Sequence, residues 1–311
     1  MKAQLYDLTH TTTYDYPSPV TVSHHLLRIS PRRLVRQFRL EHQVATEPVA
    51  ATTSQRTDYF GNEVTFATIE GAHRRLRVTS RSQVAVGPAF IPEPSETPQW
   101  ESVRGMCRSD RSTFALEAIE FTFASPLVPL EPAFAEYAAG SFTSRRSILE
   151  AALDLTSRIH ADFQFDATAT TVSTPLLEVL AQRRGVCQDF AHFEIACLRA
   201  LGLPARYVSG YLETLPPPGQ PRLLGADASH AWVSLFCPGL GWIDLDPTNN
   251  CLPSMRHITA AWGRDYSDVS PIRGVLLGSG EHTLSVAVDV VPLGVVQLQA
   301  GETDGTARTV T

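Results

Sequence analysis

The sequence predicts an α+β fold in two parts, a β-sandwich-like N-terminal domain followed by a core in which helices lead into an antiparallel sheet. Three observations predict it. Runs that alternate or stay apolar at strand length fill the first 86 residues. Apolar residues at helical spacing then dominate from Ile148 to Leu201, and alternation returns from Ala205 onward. Helices followed by antiparallel strands, without regular strand–helix alternation, is the order of an α+β domain.

In the first part, Leu26–Ile29, Phe38–Val44, Val64–Phe66 and Leu76–Thr79 are strand candidates separated by turn clusters such as Tyr59-Phe60-Gly61-Asn62. Pro88, Pro92, Pro94 and Pro98 interrupt any regular element, so the β domain is expected over 1–86. A linker with short helices at Trp100–Met106 and Pro132–Ala139 is expected over 87–145, a core over 146–300, and a frayed polar tail over 301–311.

The core opens on Ser147-Ile148-Leu149-Glu150, a capping-box pattern, with Leu153, Leu155 and Ile159 carrying a helix to about Asp162. Thr174-Pro175 opens a second, with Thr as cap and Pro in the first turn, running to Arg183. After Gly185 a third runs from Cys187 to about Leu201, with Phe190, Phe193, Cys197 and Leu201 on one face, and Gly202 and Pro204 end it. Ala205–Leu212 is a strand candidate, and the proline-rich 213–226 is expected to be an exposed loop near a cleft. Ser229–Phe236 and Trp242–Asp246 alternate on either side of Cys237-Pro238-Gly239-Leu240-Gly241 and form a β-hairpin. A polar loop at Gly263–Val269 follows. Thr283–Val290 and Val295–Leu298 then read as strands that close the core sheet.

Cys187 falls on the first helical turn, where unpaired backbone N–H groups and the helix dipole stabilise a negative sulfur. A nucleophilic thiol also needs a base and a group that orients the base. If the hairpin folds about Pro238, His230 lies opposite Asp246, and directly opposed residues have Cβ atoms roughly 4.5–5.5 Å apart. One imidazole nitrogen would then bond the carboxylate and leave the other for Cys187. Asp244 is the neighbour on the same face. His192 projects about 140° around the helix from the thiol, and it and His160 are expected to be structural.

The strings GVCQDFAH (185–192), LPARYVSGYL (203–212), SHAWV (229–233) and GWIDLDPTNN (241–250) resemble the core of the transglutaminase-like superfamily, and the whole chain resembles its bacterial members with an N-terminal β domain. The resemblance implies a papain-like core with Cys187 as nucleophile, His230 as base and Asp246 as third member. It implies a peptide or protein substrate. Gln188, Trp232 and Trp242 are the residues expected to contact that substrate. The thioester could pass to water or to an amine, and a peptide-binding module without catalysis is the competing class.

Composition narrows the alternatives. A net charge of −6, with no basic stripe, argues against nucleic acid or an anionic membrane as partner. No apolar run reaches the roughly 18 residues of a membrane span, and the N-terminal residues lack a secretory apolar run, so a cytoplasmic location is expected. Cys107, Cys187, Cys197, Cys237 and Cys251 are odd in number and without paired spacing, which fits a reducing compartment. His24-His25 diverge on a strand and no HExxH is present, so no metal is expected. Nor is any cofactor: there is no complete dinucleotide fingerprint and no phosphate-binding loop.

Overall fold

The computed structural model describes residues 2–110, 112–214, 229–278 and 281–298, and the backbone of 309–310. The N-terminal part is built on four strands, β1 (Lys2–Leu27), β2 (Gln37–Glu47), β3 (Thr52–Thr57) and β4 (Glu63–Val86). Two are far longer than the short runs expected. β1 and β4 pair antiparallel along their length, with register shifts between Asp15 and Val22. One apolar cluster holds Leu27, Ala67 and Ile69 from one end of this pair and Tyr16, Leu76 and Val78 from the other. The sandwich-like core is therefore made by one sheet bent over itself.

Between the sheets lie α1 (Trp100–Ser109), α2 (Thr113–Ile119), α3 (Pro132–Ala139) and α4 (Ile148–Asp162), then β5 (Gln164–Phe165), α5 (Leu176–Gln182), β6 (Arg184–Gly185) and α6 (Cys187–Ala200). The segment 87–145 is more than a linker. Trp100, Val103, Val128, Phe134 and Phe142 share one core with Phe190, Phe193 and Cys197 of α6. Thr174 does not cap α5 as expected. Its hydroxyl accepts from the Thr171 N–H at 2.9 Å, and Pro175 takes the cap position.

The second sheet runs β10 (His257–Gly263), β7 (Ala205–Leu212), β8 (Ser229–Cys237), β9 (Gly241–Leu245), all antiparallel. α6 lies against it, sharing core with Ala205, Tyr207, Val233 and Leu235. β10 is an edge strand, and side chains of the first domain take up its outward groups. Gln37 accepts from the Thr259 N–H at 2.8 Å and donates to the Thr259 carbonyl at 2.8 Å, and Asn62 serves Trp262 likewise at 2.9 and 2.8 Å. A buried sheet edge needs such partners.

Beyond α7 (Tyr266–Val269), which replaces the expected loop, come β11 (Ile272–Leu277), β12 (Thr283–Leu298) and β13 (Thr309–Val310). These do not close the core sheet. β11 and β12 both pair with β1, and β13 pairs with β12, so 272–298 belongs to the N-terminal sheet and the span 146–300 is not one spatial unit. Alternation announces a strand but not its neighbour, and β1 offers an edge long enough to take both. Most of the expected 213–226 loop, and most of the 301–311 tail, lie outside the described residues.

Candidate active site

Helix α6 starts where it does because of Asp189. Its carboxylate accepts from the Val186 N–H at 2.8 Å and from the Thr170 hydroxyl at 2.6 Å. Val186 is extended, and Cys187 is the first helical residue, so its N–H has no partner within the helix. Gly185 is required beneath it: a Cβ there would lie 2.5 Å from Asp189 Oδ2. Burial pushes the Asp189 carboxyl up, against its two hydrogen bonds. Cys187 itself is half-buried, and all five cysteines are free thiols.

The hairpin brings His230 to Asp246, though not in the expected register. Phe236 pairs with Trp242 and Ser234 with Asp244, two residues away from the alignment about Pro238. The turn is centred on Gly239. Leu240 N–H bonds the Cys237 carbonyl at 3.1 Å, with Pro238 second and Gly239 at φ +80 third, as in a type II turn. A shift of two keeps every side chain on its face, so His230 meets Asp246 diagonally. His230 Nε2 donates to Asp246 Oδ2 at 2.8 Å.

Asp246 is fully buried and gathers donors on both oxygens. Oδ1 accepts from the N–H groups of Thr248 at 3.0 Å and Asn249 at 3.1 Å. Oδ2 accepts from His230, from His257 Nε2 at 3.1 Å and from Asn249 Nδ2 at 2.7 Å. Burial alone would raise the carboxyl, but these bonds and the His230 charge hold it well below the usual carboxylate range. The His230 ring is opposed by burial too. Its hydrogen bonds to Asp246 and to Cys187 nevertheless push it up to about 10. With Nε2 committed to Asp246, Nδ1 is the nitrogen left for the sulfur. His257 shares the same oxygen, yet burial and the nearby His230 charge leave it below the ordinary value.

Sequence reasoning missed His257 and Asn249. Asn249 stands in the GWIDLDPTNN string, three residues past Asp246, where a side-chain amide can reach back to the carboxylate. His257 carried no signal, because β10 is buried at nearly every position and shifts register between Thr259 and Ala261, which erases alternation. His230, Asp246 and His257 each offer one ligand atom within 4.8 Å of the others and are, among the described residues, a group that could hold a metal ion. A cation there would compete with the protons both imidazoles donate to that oxygen.

The remaining expected residues disperse. Trp232 has no exposed surface; its ring lies 6.1 Å from that of His230 and 5.4 Å edge-on to that of His257. It therefore supports the imidazoles and cannot wall a substrate groove. Gly210, opposite His230, gives it room, since a Cβ there would meet the indole at 2.5 Å and the Ile258 carbonyl. Trp242 is half-buried and stacks on Arg206, and Gln188 is half-buried beside Cys187. Asp244 lies opposite Ser234 and pairs with Arg36 at 3.7 Å. His192, pushed down to about 4 by burial, accepts from the Tyr266 N–H at 3.1 Å, and His160 bonds the Thr248 carbonyl at 2.9 Å.

A cysteine at a helix N-terminus, facing a histidine–aspartate pair on an antiparallel sheet, is the layout of a papain-like core. Residues 135–247 match the transglutaminase-like superfamily, and residues 6–85 match the bacterial transglutaminase-like N-terminal region. The chain belongs to this superfamily. It is 42% identical over 298 residues, 92% of each chain, to an uncharacterized protein of Mycobacterium tuberculosis. It is 40% identical over 72 residues to a protein-glutamine gamma-glutamyltransferase of Pseudomonas aeruginosa, covering 23% of this chain and 11% of that one. Its fold is similar to the crystal structure of a Cytophaga hutchinsonii protein described provisionally as a cysteine protease, with TM-score 0.74 and 19% identity over 99% and 98% of the two chains.

Proposed function

We propose that the protein is a cysteine-dependent acyl-transfer enzyme that cleaves amide bonds in peptide or protein substrates through a thioester on Cys187, with water as acceptor. One observation carries the thiol chemistry of this reading. The His230 ring sits between the Asp246 carboxylate and the Cys187 thiol and is pushed up to about 10, so it is positioned to hold the thiol's proton.

In the proposed cycle the Cys187 sulfur attacks the substrate carbonyl carbon, and the Cys187 N–H stabilises the oxyanion. Collapse breaks the C–N bond, and the His230 imidazolium gives its proton to the departing amine. The neutral ring then takes a proton from water as the oxygen attacks the thioester, and returns it to the sulfur on collapse. Asp246 holds the tautomer and stabilises the imidazolium. His257 and Asn249 are proposed to hold Asp246.

Amine transfer is the second reading, favoured by the similarity over 72 residues to a glutamyltransferase. A glutamine-peptide library, incubated with and without a primary amine and read by mass, separates the two. Cleavage or a 1 Da gain from side-chain deamidation supports hydrolysis, whereas amine adducts that displace hydrolysis support transfer. Alkylation of Cys187 by iodoacetamide at pH 7 should slow by at least about tenfold in His230→Ala, as a positioned proton acceptor is lost. Unchanged alkylation with no turnover would leave only a peptide-binding module.

A further inference from the structure

On the sheet face that carries His230 and Asp246, the row of Arg206, Ser234 and Asp244 lies beyond the row of Val208 and Trp232. Four residues of β8 separate Ser234 from His230, about 13 Å. Here the sheet does not meet a helix. The Leu34–Arg36 segment and the Pro88–Pro92 segment lie over it and leave a pocket of about 450 Å³, floored by Arg206, Val208, Trp242, Asp244 and Trp262.

Arg206 is the unusual member. It exposes only 9% of its surface, and its guanidinium carbon lies 3.8 Å from the ring centre of Trp262 and 4.2 Å from that of Trp242. Indole faces attract a cation but take none of its five N–H donors, which project in the guanidinium plane. Among the described residues nothing accepts a hydrogen bond from Arg206, and its buried Nε has no partner. The Asp244 carboxylate favours the charged form against burial but makes no hydrogen bond to the guanidinium, so a buried cation is left with unmet donors, which costs stability.

Nearby charges do not resolve this. Asp244, which faces the pocket, is engaged by Arg36 at 3.7 Å. Arg32 stacks at 3.4 Å on Trp262, but its Nη1 donates to the Phe60 carbonyl and to Asn62 Oδ1. Among the described residues the pocket lining thus holds two cations, Arg36 and Arg206, and one carboxylate, Asp244, a surplus of one positive charge. Its rim is apolar: Phe90 is 82% exposed and Ile91 50% exposed.

We infer that this pocket binds a monocarboxylate borne on an apolar or aromatic body, the carboxylate paired in the plane of the Arg206 guanidinium and the apolar part laid against Phe90, Ile91 and Trp242. Planar carboxylate matches the guanidinium fork, and the single surplus charge matches one carboxylate better than a dianionic phosphate. The site is separate from the acyl-transfer chemistry and does not depend on it.

Calorimetric titration of the full chain bearing Cys187→Ala, with 3-phenylpropionate as probe, tests the inference. Saturable one-site binding is expected. The neutral 3-phenylpropionamide should bind at least about tenfold more weakly, the size of a charge-assisted hydrogen bond. Arg206→Met should lose a comparable factor, Phe90→Ala should weaken binding while leaving the melting temperature unchanged, and Asp244→Asn should tighten it by removing the competing carboxylate. If Arg206→Met does not fold, the acid–amide comparison and Asp244→Asn decide. Absence of saturable binding, equal binding of acid and amide, or displacement of the probe by equimolar inorganic phosphate would overturn the assignment.

Discussion

Histidines packed in the N-terminal sheet and His230 of the second sheet move in opposite directions. In the N-terminal sheet His10 bonds Tyr211 and Thr12, His25 bonds Ser23, and His42 bonds Ser30 and Ser82. Their partners are hydroxyls, and burial pushes all three down to about 4. His230 is buried as deeply in the second sheet, yet a carboxylate and a thiol lift it to about 10. Carboxyls divide the same way. Asp246, surrounded by donors, stays charged, while Glu194 of α6, which accepts from the Thr156 hydroxyl at 2.7 Å, is pushed up by burial to about 8. Burial by itself removes charge; a fixed counter-charge is needed to keep it. What distinguishes the site is therefore the partner set of Asp246, not the depth of its residues.

The largest expected effect comes from breaking that set. Asp246→Asn keeps the shape but lets the wrong His230 tautomer form, and turnover on a cleaved peptide should fall by about 10²–10⁴-fold. A loss smaller than tenfold would mean that His230 does not depend on Asp246.

Stability on the alkaline side is next. The folded value of His230 exceeds the ordinary 6.5, so its contribution is complete below pH 6.5 and disappears as pH rises through about 10. Thermal melts of the wild type should decline between pH 6.5 and pH 10, and His230→Gln should flatten that decline.

The N-terminal sheet should show the reverse. His10 is held neutral, so its contribution is complete above pH 6.5 and lost as pH falls toward 4. His10→Gln should reduce the slope of unfolding free energy in that window by up to about 1.4 kcal/mol per pH unit, one proton's worth. Turnover at pH 7 should not change.

Glu194→Gln applies the same rule to an acid. The buried carboxyl is favoured neutral, so the native glutamate loses stability as pH rises from 4.5 to about 8, whereas glutamine has no proton to lose. The variant's melting temperature, relative to wild type, should be higher at pH 8 than at pH 4. An equal difference at both would mean that Glu194 is ionised in the fold.

Helix periodicity located α4 and α6 closely, because their apolar faces meet one core and nothing in that core disturbs a 3.6-residue repeat. Strand alternation located β7, β8 and β9. It failed for β10, whose register shifts between Thr259 and Ala261, and for the destinations of β11 and β12, since pairing depends on which edge is free.

The sequence by itself determined that a cysteine begins a helix and that a histidine and an aspartate share one face of a hairpin. Both are local: the first follows from Gly185 and Asp189 at the turn, and the second survives a two-residue register error because side chains alternate with period two. Only the tertiary structure decided that His257 and Asn249 complete the donors around Asp246, that Trp232 is a support with no surface, and that Arg206 is left between two indoles without an acceptor among the described residues. Each of these rests on contacts between segments distant in the chain, and no periodicity within a segment records what a different segment will place against it.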